Sequence, residues 1–301
     1  MNIYTKVEKL NITSPTSVAL GTFDGVHKGH QKVISATLNS GYSPVVFSVN
    51  RPYSKQNLRL TTDKARENIL ENMGVDTFAI ISFEEIYNLS PLEFGKDILI
   101  KRLNAKHISC GFNFRFGKGA EGNVETLKEI CNDFGIELTV CEPIIYEGLP
   151  ISSSRIRLAI ENGRVDEADE MLGLPFTYDF VVEGGDRLGR KLGAPTINQY
   201  FPEDFVVPKF GVYAAVVEID SRKYPAVCNV GIRPTINNGT APRSETFILD
   251  FTGDLYGKNV PVSLIKYLRP ETKFEGLDAL KDAISNDARV SKQIILERNV
   301  L

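Results

Sequence analysis

Residues Val18–Ile34 read VALGTFDGVHKGHQKVI. The apolar run Val18-Ala19-Leu20 is followed by the turn-forming Gly21-Thr22-Phe23-Asp24-Gly25, then by His27-Lys28-Gly29-His30 and a segment with helical spacing. This is the pattern of a strand, a glycine turn and a helix start. A helix N-terminus presents unpaired N–H groups and partial positive charge, which suit a phosphate. His27 and His30, an i, i+3 pair, share a face near such a start, where two imidazoles can stabilise negative charge that builds on phosphorus. Metal ligation is a competing reading, but His107 is the other imidazole in the chain and no HExxH pattern is present. A purely structural pair competes as well. The flanking glycines speak against that, because backbone without a Cβ is needed where a ligand comes close.

The same texture extends over the first half. Val45–Phe47, Phe78–Ser82, His107–Cys110 and Ile136–Cys141 read as strands. Between them, Asp63–Met73 (ending at Gly74), Pro91–Leu103 (with Ser90 as cap) and Val124–Phe134 (closed by Gly135) read as helices. Alternating strands and helices predict a parallel sheet with right-handed crossovers, whose ligands sit at the carboxyl ends of the strands. In Gly111–Asn123, GFNFRFGKGAEGN, the residues Gly117, Gly119 and Gly122 match GxGxxG, with Glu142 further on. A nicotinamide site belongs in the first βα turn, however, and Phe112–Phe116 separates these glycines from the strand. Their three phenylalanines read as core. In Leu149–Arg157, LPISSSRIR, the serines can cap a helix, while the planar fork of Arg155 suits phosphate oxygens.

Ile156–Leu172 reads as one helical run ending in Gly173-Leu174-Pro175, a domain border. Beyond it, Tyr178–Val182, Gly211–Glu218, Tyr224–Val230, Glu245–Phe251 and Asn259–Tyr267 read as short strands of a small closed barrel, and Pro270–Ile284 as a terminal amphipathic helix. In GDRLGRKLGAPTIN, the regularly spaced Gly185, Gly189 and Gly193 can wrap a phosphate chain with backbone N–H groups, although no Walker Lys-Ser/Thr pair follows.

These motifs carry a resemblance. GTFDGVHKGH resembles the HxGH signature of nucleotidylyltransferases, in the form found in bacterial bifunctional riboflavin kinase/FMN adenylyltransferases (FAD synthetases). The family's G-x-N/D-F-x-F-G motif is matched at Gly111–Gly117, I-S-S-T-R at Ile151–Arg155, PTAN at Pro195–Asn198 and N-I-G-x-R-P-T at Asn229–Thr235. The resemblance implies a Rossmann-like α/β nucleotidylyltransferase domain, residues 1–173. A mostly antiparallel β-barrel riboflavin-kinase domain with a C-terminal helix would follow, residues 174–301. It implies that His27 and His30 are catalytic, and that Gly21, Phe23, Asp24, Gly25, Asn113, Gly117, Ser152, Ser153 and Arg155 bind the ATP of the adenylyltransferase. In the kinase half it implies that Thr196 and Asn198 hold Mg²⁺ and ATP phosphates together with the Gly185–Gly193 turns, both side chains offering the hard oxygens magnesium requires. Glu245, at the start of a strand, would take the proton of the riboflavin 5′-hydroxyl, with a cross-strand charge pair as its alternative.

The implied chemistry is ATP-dependent phosphorylation of riboflavin to FMN, then adenylylation of FMN to FAD with release of pyrophosphate, both steps using Mg²⁺. One segment departs from the family: Ser48-Val49-Asn50-Arg51-Pro52-Tyr53 stands where F-D-P-H-P is expected, and the histidine is gone. Ala120-Glu121 also replaces a basic residue frequent in the glycine loop. Three alternatives stay open. The chain could keep one activity, with the adenylyltransferase the one impaired; it could be a non-catalytic flavin- or nucleotide-binding regulator; or it could act as a cytidylyltransferase on another phosphorylated alcohol.

Composition bounds the rest. The 301 residues suit two domains, and a net charge of −3 argues against a dedicated nucleic-acid binder. The four cysteines have no CxxC spacing and read as free thiols of a reducing compartment. With no secretory n-region and no long apolar run, the expectation is a cytoplasmic protein with small-molecule substrates (riboflavin, FMN and ATP) and neither nucleic acid nor membrane as partner. No motif specifies an oligomeric state.

Overall fold

The computed structural model describes residues 1–50, 54, 58–184, 195–232 and 241–301. The chain packs into two compact units, Met1–Ser54 with Asp63–Ser152, and Lys55–Thr62 with Ser153–Leu301. The border expected at Gly173 therefore falls inside the second unit.

The first unit is a six-stranded parallel sheet. Its strands are β1 (Asn2–Tyr4), β2 (Thr16–Gly21), β3 (Ser43–Asn50), β4 (Thr77–Ser82), β5 (Ala105–Gly111) and β6 (Glu137–Cys141), in the order β1-β4-β3-β2-β5-β6. Successive residues of a strand point to opposite faces, and the core divides accordingly. Val18, Leu20, Val45 and Phe47 pack on one face with Phe94, Leu99, Leu127 and Ile130. Ala19, Val46 and Phe78 pack on the other with Ile34 and Leu70. Helices α1 (Lys28–Leu38) and α2 (Asp63–Asn72) supply the second face, and α5 (Val124–Phe134) contributes to the first. A strand buried on both faces reads as an apolar run, which is why β2–β5 were expected. Edge strand β1, exposed at two of its three residues, was not.

The expected helix Pro91–Leu103 changes character. Ser90 caps α4 (Pro91–Glu93), after a short α3 (Phe83–Ile86), through a capping box with Glu93. From Phe94 to Ile100 the helix is π, which turns Phe94, Ile98 and Leu99 all into the core. A Cβ on Gly95 would meet Ile130 Cγ2 at 2.7 Å, so glycine is what admits α5 so close. After β6 a small hairpin, β7 (Ile145–Tyr146) and β8 (Leu149–Pro150), leads into the second unit.

The single helix expected over Ile156–Leu172 is two, α6 (Ser153–Glu161) and α7 (Val165–Leu172), because Gly163 adopts φ 77 and ends the first. The sheet that follows is antiparallel, in the order β10-β13-β12-β11-β14-β9. Its strands are β9 (Phe176–Tyr178), β10 (Thr196–Tyr200), β11 (Gly211–Ile219), β12 (Arg222–Ile232), β13 (Pro242–Ile248) and β14 (Val262–Arg269). Beyond β9 the chain bridges Val181 to Asn259 and Glu183 to Asn198 of β10, curling the sheet into a barrel. Gln199 pins this closure by donating to the carbonyls of Phe180 (2.6 Å) and Val260 (2.8 Å). Tyr178, Phe180, Phe201 and Phe205 pack ring against ring in the core.

Two sequence expectations shift here. The strand expected at Tyr178–Val182 is the end of β9 plus isolated bridges, and the terminal helix is α8 (Leu277–Arg298) rather than Pro270–Ile284. Pro270 lacks an N–H and the chain stays non-helical to Gly276. The buried stripe of α8 is Asp287, Ser291 and Ile295, so polar residues hid its second half. Asp287 takes Arg269 Nη2 at 2.7 Å, and Ser291 Oγ donates to the Ala226 carbonyl.

Part of the second unit comes from far upstream. Arg59 pairs in parallel with Phe205 and binds the Asp204 carboxylate through Nε at 3.0 Å, and Thr62 Oγ1 donates to Asp179 at 2.6 Å. Leu60, between them, is 1% exposed.

All four cysteines are buried and free, and burial pushes the Cys110 thiol up to about 12. Among the described residues no helix is long and apolar enough to cross a membrane.

His107 is buried in β5 with both ring nitrogens engaged, Nδ1 by Ser17 Oγ (2.7 Å) and Nε2 by Thr139 Oγ1 (2.8 Å). Burial holds its pKa below the ordinary value, with Glu137 opposing. In the folded state it thus resists a proton that the unfolded chain binds below about pH 6.5, so its contribution to stability is lost as pH falls. Melting temperatures measured at pH 7, 6 and 5 should fall less steeply for His107→Gln than for the wild type. Parallel curves would contradict this. Leu60→Ala should cost about 2–5 kcal/mol, read as a lower urea midpoint by circular dichroism.

Candidate active sites

Strand β2 is the switch point of the parallel sheet: β3 and β4 lie to one side, β5 and β6 to the other. Register sets Leu20 beside Phe47 of β3 and beside Cys110 of β5, so the turns after Gly21 and Gly111 leave the sheet side by side. This is where ligands enter open α/β sheets. The first turn is tight. Phe23 (φ 50), Gly25 (φ 79) and Val26 (φ 41) are all left-handed, which is costly for the two that are not glycine. His27 then caps α1, its Nδ1 accepting from the His30 N–H at 3.3 Å.

The two imidazoles stack, with centroids 3.6 Å apart and planes 15° from parallel, and the Phe23 ring meets His30 at 5.3 Å, edge to face. The flanking glycines serve this packing. A Cβ on Gly21 would come within 3.0 Å of the Phe23 ring, and one on Gly29 within 3.1 Å of the His27 ring. Burial above all, then His27 and Arg66, holds His30 well below the ordinary imidazole range, so it is neutral at pH 7. Its Nδ1 is buried and finds no hydrogen-bond partner among the described residues. Asp24 is buried within the same turn.

The sequence reading missed Arg66. From α2 its Nη1 donates to the Thr22 carbonyl (3.1 Å) and Ser48 Oγ (3.4 Å), while Nη2 binds Asp63 at 2.7 Å. Ser48 Oγ donates to the same Thr22 carbonyl at 2.8 Å. Ser48 and Asn50, of the segment that departs from F-D-P-H-P, end β3; Arg51, Pro52 and Tyr53 lie outside the described residues.

Asn113 is exposed in the second turn, beside exposed Phe112. Of the phenylalanines read as core, Phe116 is buried and stacks on Phe114 at 5.5 Å, whereas Phe112 is 45% exposed. Gly117 (φ 74) has Pro91 at 2.9 Å from where a Cβ would stand, and Phe116 and Gly122 exchange backbone hydrogen bonds, closing the loop as a small hairpin. Ser152 ends the first unit, and Ser153 and Arg155 lie in the first turn of α6 in the second. Arg157 is buried and donates to the Leu58 carbonyl, a structural role.

In the second unit, register builds a row of polar side chains. Glu245 of β13 stands between Asn198 of β10 and Asn229 of β12. It lies mid-strand, not at the strand start as the sequence suggested, because β13 begins at Pro242. Thr196 shares the face of Asn198, two residues along the same strand. Arg243, buried, binds Glu245 Oε1 at 2.5 Å, so the cross-strand alternative is answered by a partner on the same strand. Asn229 donates to Glu271 at 3.0 Å. Val212 pairs with Asn229, so this face is the one whose Ala214 and Val216 are covered by Ile295 of α8. Gly185, Gly189, Gly193 and Arg233–Thr235 lie outside the described residues. Among the described residues no group of three or more His, Cys, Asp or Glu could hold a metal. Thr196 and Asn198 supply hydroxyl and amide oxygens, a donor set that fits magnesium sharing its shell with phosphate and water.

Comparison with known proteins assigns both halves. The FAD synthetase family model matches residues 9–155 and the riboflavin kinase model residues 172–295. The bifunctional riboflavin kinase/FMN adenylyltransferase of Bacillus subtilis is 33% identical over 90% of this chain and 89% of its own. That of Escherichia coli K12 is 33% identical over 92% and 91%. A crystal structure of a macrolide-efflux protein from Streptococcus pneumoniae superposes with a TM-score of 0.86 at 33% identity, covering 96% of this chain and 98% of that one. The chain belongs to the bifunctional riboflavin kinase/FMN adenylyltransferase family, whose members phosphorylate riboflavin with ATP and adenylylate the resulting FMN to FAD.

Proposed function

We propose that the two reactions are carried by separate sets of residues: adenylyl transfer at the turn that ends β2, and riboflavin phosphorylation on the outer face of the barrel at Asn198 and Glu245. The observation that supports this division is that the stacked histidines belong to one compact unit and the Asn198–Glu245 pair to the other. We assign residues 1–173 to the first reaction and residues 174–301 to the second, although the compact units divide the chain at Ser152 and exchange Lys55–Thr62.

At the first site the FMN phosphate attacks the α-phosphorus of ATP and pyrophosphate leaves. His27, together with His30 as a neutral imidazole, donates hydrogen bonds to the charge that develops there. Gly21, Phe23, Asp24 and Gly25 shape the turn that faces the triphosphate, and Asn113, Gly117, Ser152, Ser153 and Arg155 complete the ATP site. At the second site Glu245 accepts the proton of the riboflavin 5′-hydroxyl as that oxygen attacks the γ-phosphorus. Arg243 keeps the carboxylate in place. Thr196 and Asn198 hold the phosphates with Gly185, Gly189 and Gly193, and would hold Mg²⁺, which offsets triphosphate charge when bound. Neither site needs a covalent enzyme intermediate. We place the protein in the cytoplasm, acting on small molecules without nucleic acid or membrane. The efflux activity in the name of the Streptococcus pneumoniae protein is not part of this reading.

Chromatography of products from riboflavin or FMN with ATP and magnesium tests the division. His30→Ala should lower FAD formation by about 100-fold or more and leave FMN formation intact. Glu245→Ala should lower FMN formation by about 100-fold or more yet still convert supplied FMN to FAD. Equal loss of both products in either variant would defeat the two-site reading. Wild-type protein that stops at FMN would mean that the altered Ser48–Tyr53 segment has silenced the first site.

A further inference from the structure

We infer that Arg66 is a positioning residue for adenylyl transfer: its buried guanidinium grips the Thr22 carbonyl and thereby holds the turn that carries both histidines. The inference rests on the reading of His27 and His30 as the adenylyl-transfer pair.

The geometry behind it is a stack of dependencies. Thr22 is the last residue before the left-handed Phe23, and its carbonyl accepts two hydrogen bonds, from Ser48 Oγ at 2.8 Å and Arg66 Nη1 at 3.1 Å. Those donors come from the end of β3 and the first turns of α2, so three elements converge on one oxygen. Just beyond, Phe23 and Val26 hold conformations that non-glycine residues adopt at a cost. Such a turn persists only if its surroundings over-determine it; the Thr22 anchor is one polar part of that support, and the Gln31 amide, donating to the Val26 carbonyl at 2.9 Å, is another. The Phe23 ring, released from this anchor, would no longer set the edge against which His30 packs at 5.3 Å.

Stability alone does not call for a cation here. Arg66 is 3% exposed, and its charge is met by one carboxylate, Asp63, whose side chain is 47% exposed. Its Nε is buried with no hydrogen-bond partner among the described residues, and the guanidinium carbon sits 5.4 Å from the Phe78 ring centroid. An apolar side chain of similar volume would fill such a place without the desolvation penalty. A fixed positive charge behind the histidines is useful, by contrast, when the substrate is a triphosphate: it favours the anion and disfavours protonation of His30. The low pKa of His30, to which Arg66 contributes after burial and His27, agrees with that role. In the reaction the FMN phosphate oxygen forms a bond to the α-phosphorus and the bond to the departing pyrophosphate breaks. Arg66 touches none of these atoms and acts through the turn.

The test uses the full chain with FMN, ATP and magnesium, with riboflavin phosphorylation measured in the same preparation. Arg66→Met should lower the kcat of FAD formation about tenfold or more while both KM values move less than about threefold. Riboflavin phosphorylation should be unchanged. Arg66→Lys, which keeps the charge and a donor, should recover part of the loss, and Ser48→Ala, which removes the other donor to Thr22, should lower kcat in the same direction by less. An Arg66→Met kcat within about twofold of wild type, or a loss confined to KM, overturns the inference. If Arg66→Met fails to fold by circular dichroism, Ser48→Ala decides: an unchanged kcat there overturns it equally. His30→Ala separates the two layers. If it stays active, the reading of the histidine pair fails; if it is inactive while Arg66→Met is active, only the role of Arg66 fails.

Discussion

A strand packed on both faces leaves buried carbonyls that must find donors where it ends, and just past β2 the Thr22 carbonyl is such a group. The Thr22 carbonyl takes hydrogen bonds from the Ser48 hydroxyl and the Arg66 guanidinium. Those bonds lie just past β2, in the middle of the sheet where strand order reverses, and fix the residue that precedes the left-handed turn. The left-handed turn comes next in the chain, and the stacked imidazoles come directly after it. Packing produces the chemistry here: Gly21 and Gly29 are small because aromatic rings occupy the space a methyl group would take.

The second unit answers the same problem with a different physical device. No left-handed turn presents its carboxylate. Antiparallel register does so, by setting Asn198, Glu245 and Asn229 abreast on adjacent strands. Side chains alternate strictly along a strand, so a slip of one residue in β13 would send Glu245 to the aromatic interior and bring Thr246 to the outer face. The Gln199 amide, bonded to both Phe180 and Val260, holds the seam that keeps the barrel in that register. Arg243 then restrains the carboxylate once it has been delivered.

What could be read in the sequence follows from how local each feature is. The central strands announce themselves because both their faces are buried, and α5 because Asn123 and Gly135 cap it and its apolar spacing is regular. The spacing of His27 and His30 is local too. Their stacking is a spatial relation that spacing alone does not give, and Arg66 escaped notice because its partners Thr22 and Ser48 are distant in sequence. Asn229 opens a motif visible in the sequence, but its place beside Glu245 comes only from strand pairing. Helix α8 was misplaced for another reason. Its buried stripe is made of Asp287 and Ser291 as well as Ile295, and polar residues satisfied by Arg269 and by the Ala226 carbonyl leave no apolar period to find.

The stretch from Leu58 to Thr62 has a bearing on how the protein is made. It leaves the ribosome long before Asp179, Asp204 and Phe205, the residues it joins. Until they are translated, Arg59 and Thr62 lack the carboxylates they bond in the finished fold. A recombinant fragment cut at Ser153 would begin life with the converse defect: an Asp204 carboxylate without its arginine and an Asp179 carboxylate without its threonine.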